Sequence, residues 1–303
     1  MFDAARSHDH TDDSHRSDLL VGGQRNPSDR DLQRANGVGR AVLGSFGGNT
    51  RIKDLFQKSP IRIMFPRFGV SVIEEAVLIN TAGGIAGGDR LEYGITALAN
   101  ASITVTSQAA EKVYRALDEP SRIITKLRAH GLASLAWLPQ ETIVFNRASV
   151  NRLTEIEISS GAELLALEWL VLGRAAHGEE VVSGCIIDSW RVKKDNRLIW
   201  ADTFRATDEM FWQVHRKALL SDCTAIGTLI YFGPHLDARL EALREISPRL
   251  GCHCAATTVA GLIVVRFAAK LSSDLRRAMR GALQQFSGEL GVGPFRVPKM
   301  WSC

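Results

Sequence analysis

The charged pair Asp89-Arg90 closes the run Asn80–Arg90, in which four of six consecutive positions are glycine (Gly83, Gly84, Gly87 and Gly88). Glycine at that density marks backbone that takes positive φ or passes close to another group. A phosphate cradle is the first chemistry such a loop suggests. That chemistry needs a helix N-terminus aimed at the anion, with a lysine to grasp it. No Lys-Ser or Lys-Thr follows Gly88, and Leu91–Ile95 alternates at period two, as a strand does. The run is therefore expected to join two strands, and nucleotide chemistry is set aside.

Three more carboxylates stand beside turns. Glu111 and Lys112 follow Gln108 within Thr106–Arg115, Glu141 follows Pro139 and Gln140, and Glu179 ends a glycine-bounded loop that also carries Arg174 and His177. Hydrolytic acid–base work needs two groups with separated pKa values. Asp89 with Glu141 or Glu179 would supply such a pair, which gives the alternative reading of a β-rich enzyme. Neither a Ser-His-Asp arrangement nor an HExxH motif is found. Cys252, His253 and Cys254 are metal-capable, yet structural zinc sites draw on two such pairs. On a strand only Cys252 and Cys254 would share a face. With His8, His10 and His15 they define a third reading, metal storage.

The elements that must position these groups are mostly strands. Ser102–Thr106, Arg122–Arg128 and Thr154–Ile158 alternate at period two, and many further short strands follow at close spacing. Asp195-Asn196 predicts a hairpin turn between Trp190–Val192 and Leu198–Trp200. Helices are expected over Asp237–Ile246, over Phe211–Leu220, and along the stripe Leu271, Leu275, Met279, Leu283 and Phe286, capped by Ser272 or Ser273. The reading is mainly β, with stacked sheets and two or three helices mostly in the C-terminal third. Residues 1–36, rich in Asp, Arg, Ser and His, predict a disordered tail, and 37–303 a single domain. A net charge of +4 with scattered Lys and Arg offers no stripe for nucleic acid. Five cysteines form an odd, sparse set suited to a reducing compartment. The longest apolar stretch, Leu164–Leu172, is too short to span a bilayer and contains Glu168. A cytoplasmic protein without a membrane partner is expected.

Six segments in order resemble the UreD (also called UreH) family of urease accessory proteins. They are Ser59–Arg62, Ala76–Leu91 with its glycine run, Thr106–Arg115, Trp137–Phe145, Leu172–Arg174 with Gly178-Glu179, and Arg296–Trp301. The resemblance covers the chain from about residue 37 to its end. It implies a helix-poor fold of stacked, helically arranged sheets and no catalysis. It also implies partners: UreF, the GTPase UreG and urease apoprotein, on which the assembly inserts nickel. The UreD-type subunit would contact urease and conduct nickel(II), in transit and not stably bound, through a water-filled tunnel. Asp89, Glu111, Glu141, Glu179 and His177 are then the expected transient nickel contacts, since isolated oxygen and imidazole donors release a metal more readily than a closed Cys/His cage. Asn80, Gly83, Gly84, Gly87, Gly88, Gln108, Lys112, Gln140 and Arg174 are the expected tunnel or interface residues. Three positions depart from the family pattern: Ser107 for a frequent threonine, Asn146 for a common aspartate and His177 for a frequent methionine.

Overall fold

The structure, a computed structural model, describes residues 33–66, 74–214, 216–287 and 295–302. The expected tail lies outside them up to residue 32, with His8, His10 and His15. Period-two alternation turns one face of most strands inward, and the described residues form seventeen strands. They begin with β1 (Asn36–Phe46), β2 (Asn49–Lys58), β3 (Ile61–Met64), β4 (Glu74–Asn80), β5 (Arg90–Ala97) and β6 (Ser102–Ser107). Next come β7 (Glu111–Val113), β8 (Ser121–Ala129), β9 (Ser134–Trp137), β10 (Thr142–Val144), β11 (Ser149–Ile158) and β12 (Glu163–Leu172). The last are β13 (Cys185–Lys194), β14 (Arg197–Ala206), β15 (Ala225–Phe232), β16 (His253–Val259) and β17 (Leu262–Ala269).

The chain winds between two sheets. One has the order β14-β13-β11-β8-β5-β1-β2, the other β16-β17-β15-β12-β9-β6-β4-β3. Successive turns re-enter each sheet in the same direction, so β1-β5-β8-β11-β13 and β4-β6-β9-β12 are parallel. Antiparallel strands close the edges. On one side β7 and β10 add a short parallel ladder to the end of β12. The expected mainly β, stacked winding is the observed architecture. Strands β1 and β2 precede Ile61, the first strand position read from the sequence.

Side chains such as Leu91, Ile95, Ile123, Leu127, Ile156, Leu164 and Ala166 fill the space between the sheets. The outer face of the second sheet is covered by α2 (Leu236–Ile246) and α3 (Ser272–Gln284). Leu243, Leu275, Met279 and Leu283 pack there against Leu167, Leu229 and Val265. The α3 stripe is thus core, apart from Leu271, which stands exposed at the N-cap position. Neither Ser272 nor Ser273 supplies a cap. The helix expected over Phe211–Leu220 is corrected to one turn, α1 (Asp208–Phe211). Trp212 and Leu219 are exposed and share no buried stripe, so nothing holds a longer helix there. The Asp195-Asn196 turn is confirmed, both residues having positive φ (47° and 65°) between β13 and β14.

The glycine run lies along the side ladder. Ile85 donates its N–H to the Lys112 carbonyl at 2.7 Å, and Tyr114 donates to the Ile85 carbonyl at 2.8 Å. Gly84, at φ +151°, permits this seat: a Cβ there would overlap the Tyr114 ring and come within 3.0 Å of the Lys112 carbonyl. At Gly87 a Cβ would meet the Glu119 carbonyl at 2.8 Å. Gly84→Ala is therefore expected to lower the free energy of unfolding by about 1–3 kcal/mol. An unchanged urea midpoint would show that the loop yields without cost.

Candidate functional site

Between the sheets, beside the side ladder, lies a cavity of ≈ 280 Å³. Asn80, Gln108, Glu111 and Lys112 line its outer part, and Tyr93, Thr125, Trp137, Arg152 and Glu168 its buried wall. The Asn80 amide donates to both oxygens of Glu111, at 3.2 and 3.1 Å. Burial pushes the Glu111 carboxyl up to about 7, with Asn80 and Lys112 pulling the other way. Burial, and after it the charge of Glu111, keeps the Tyr93 phenol neutral. Gln140 braces this wall by donating to the Gln108 carbonyl at 2.8 Å. Behind it, the Trp301 indole donates to the Leu138 carbonyl at 3.1 Å.

The deepest part is an ionic cluster set by strand register. Arg152 on β11 pairs with Asp188 on β13, and both residues point inward. Arg152 Nε and Nη2 donate to the two Asp188 oxygens at 2.8 and 2.7 Å, and Nη1 donates to Thr142 Oγ1 at 3.1 Å. Glu168 enters from β12 in the other sheet. Its Oε1 accepts from the Trp137 indole at 3.0 Å and from Thr154 at 2.9 Å. Its Oε2 lies 2.9 Å from Arg152 Nε, but that N–H is directed at Asp188, so Oε2 accepts no hydrogen bond. Burial opposes the Arg152 charge, and Asp188 and Glu168 more than offset it, so the guanidinium stays cationic. Burial likewise holds Glu168 above the ordinary carboxylate range, although Arg152 pulls it down.

Glu168 also lines a second cavity, of ≈ 220 Å³, together with Asp188, Trp190, Asp202, Phe204, Thr228 and Arg266. Here Arg266 bridges the two sheets, reaching Asp202 at 2.7 Å and Thr228 at 2.6 Å. The Arg152–Glu168–Asp188 cluster thus stands where the two cavities adjoin.

The residues singled out by sequence divide sharply. Glu111, Asn80, Gly83, Gln108, Lys112 and Gln140 line the first cavity. Asp89, Glu141, Glu179, His177, Gly84, Gly87, Gly88 and Arg174 line neither. Asp89 fastens the loop, accepting from the backbone N–H groups of Ala35 and Ala86 at 2.8 and 2.7 Å. Glu141 is held by Arg276 of α3 at 2.6 Å. Glu179 is held by Arg174 at 2.7 Å, and the Arg174 guanidinium stacks on Phe145. His177 is exposed in a short 3-10 turn. Asp89 and its two suggested partners thus meet in neither cavity, which disfavours the acid–base pair. Among the described residues no group of three or more His, Cys, Asp or Glu is arranged to hold a metal ion. Cys252 and Cys254 are half-buried free thiols, and burial pushes both up, Cys252 to about 11, away from the thiolate a metal needs.

Sequence reasoning passed over Arg152 and Asp188, and used Glu168 only against a membrane span. The signal was parity. Val150, Arg152, Thr154, Ile156 and Ile158 share one face of β11, while Ile186, Asp188, Trp190 and Val192 share one face of β13. A charge on the apolar parity of a buried strand marks an internal polar site.

These features define a class: a wound, two-sheet β protein with a polar interior held between adjoining cavities. Comparison with known proteins gives the family. Residues 35–302 match the model for the UreD urease accessory protein, and the chain belongs to that family. It is 38% identical over 271 residues to the urease accessory protein UreD of Rhizobium johnstonii, covering 89% of this chain and 96% of that one. The Xanthobacter autotrophicus protein of the same name is 38% identical over 270 residues, covering 89% and 91%. Urease accessory protein UreD 1 of Brucella ovis is 35% identical over 285 residues, covering 94% and 100%.

Proposed function

We propose that this chain is a non-catalytic chaperone of urease maturation that binds urease apoprotein in the cytoplasm. With UreF and the GTPase UreG it enables nickel insertion, conducting nickel(II) through its interior from one cavity to the other. The observation that carries the reading is Glu168, a buried carboxylate common to both cavities. A conduit must bind its ion weakly enough to release it, and scattered oxygen donors such as Glu111, Glu168 and Asp188 suit that need better than a closed cage. Among the described residues no helix is long and apolar enough to cross a membrane, which is compatible with this setting.

Urease produced without this chain is expected to contain little nickel, and normal loading in its absence would overturn the proposal. The conduit itself is tested by Ala110→Trp, which places an indole at a half-buried position lining the first cavity. Such a plug should lower urease nickel content on the order of tenfold while the variant still co-purifies with urease. Full loading with the plug in place would remove the conduit.

A further inference from the structure

Among the described residues four buried side-chain oxygens have no hydrogen-bond partner, and three of them lie together: Glu75 Oε1, Thr104 Oγ1 and Thr106 Oγ1. Strand register sets them side by side. Ile103 and Val105 of β6 face the space between the sheets, so Thr104 and Thr106 face out. Thr104 stands directly opposite Glu75 of β4. Both threonines are nonetheless buried, at 3% and 0% exposure. What crosses over them is the C-terminal segment, residues 295–302. The Lys299 backbone N–H meets the Glu75 carboxylate on β4, while the Trp301 indole grips the Leu138 carbonyl just past β9. Because β6 runs between β4 and β9, the chain from Lys299 to Trp301 passes across its threonines.

The segment is thus pulled two ways. Burial of Phe295 and Trp301 in the outer cluster holds it down. Three oxygens left without partners press it off, since water would bond each of them once it lifts. Opposed terms of this kind put an element at the low-stability end of a fold. We propose that residues 295–302 are a strap that opens and closes over β6, and that its position sets the wall of the first cavity. The link is Gln140. Its side-chain amide donates to the Met300 carbonyl at 3.4 Å, and Trp301 holds the same segment two residues earlier. Lifting the strap removes both holds and leaves Gln140 bonded to the Gln108 carbonyl and to Arg276 of α3. The device acts on the wall and not on an ion, so it goes beyond the conduit reading.

Hydrogen exchange of the full chain reads the strap directly. Thr104→Val with Thr106→Val replaces each hydroxyl by a methyl of the same shape and removes the outward push of two oxygens. Exchange of the Trp301 amide, which donates to the Pro298 carbonyl, should slow on the order of tenfold. The Gln140 amide should slow with it, while the amides of β13 stay unchanged. Trp301→Phe keeps a ring but loses the indole donor, and should speed exchange at Gln140. A folded double variant whose Trp301 amide exchanges as fast as in wild type, or faster, would overturn the strap, because buried water would then already serve these oxygens. A slowed Trp301 amide with Gln140 unmoved would overturn the link to the cavity. Should the double variant misfold, Trp301→Phe decides, and wild-type exchange at its Gln140 amide would overturn the proposal. Both readouts come from the isolated chain, so they stand or fall apart from the nickel content of urease.

Discussion

Asp188→Ala is expected to lower the free energy of unfolding by about 3–5 kcal/mol at neutral pH. The substitution removes both acceptors of the Arg152 Nε and Nη2 donors, and all three side chains of the cluster are buried. Glu168 cannot compensate from its present position, since its Oε2 lies out of line with the guanidinium. Much of the cost is the penalty of a buried charge with too few partners, and that penalty vanishes when the charge goes too. Arg152→Met combined with Asp188→Leu and Glu168→Gln, which leaves no charge in the cluster, should therefore lie nearer to wild type than Asp188→Ala does. Urea denaturation of the set checks both statements. A loss below about 1 kcal/mol in Asp188→Ala would mean that water already solvates the cluster.

Glu111→Gln should change how stability depends on pH. The wild-type carboxyl titrates near 7 in the folded chain, above its unfolded value. A carboxyl raised on folding favours the folded state while protonated, fully so below about pH 4.5, and that advantage is lost as pH rises through about 7. The isosteric amide cannot ionise. Relative to it, the wild type should lose about 1–3 kcal/mol between pH 4.5 and 7.5, less than the full shift implies because the group is only partly withdrawn from solvent. Glu75, Glu163 and Glu168 are also raised by burial and add loss of the same sign to both proteins. The difference between the two curves therefore isolates Glu111. Parallel curves across this range would show that Glu111 is solvated as in the unfolded chain.

Alternation alone revealed most strands and the Asp195-Asn196 hairpin, because period two and turn chemistry are local signals. It could not say that β5, β8, β11 and β13 are parallel neighbours, since the winding that aligns them joins residues far apart in sequence. The same divide explains the site. Glu111, Gln108 and Gln140 were reached through turns whose residues are adjacent in the chain. Arg152, Glu168 and Asp188 lie on three strands in two sheets and meet only through register. Asp89 and Glu141 were misleading for a related reason: a carboxylate beside a turn looks available until its partner is known, and Ala35 and Arg276 lie 54 and 135 residues away. The stripe on α3 was legible as a helix, and its burial followed from the sheet it covers.

Trp301 ties together parts of the chain that sequence separates widely. Its indole holds the Leu138 carbonyl from 163 residues away, beside Trp169, and so backs the segment that carries Gln140 into the first cavity. One ring therefore sets the tautness of that wall, and whatever loosens its seat is transmitted to the Gln140 amide two residues beyond the carbonyl it grips.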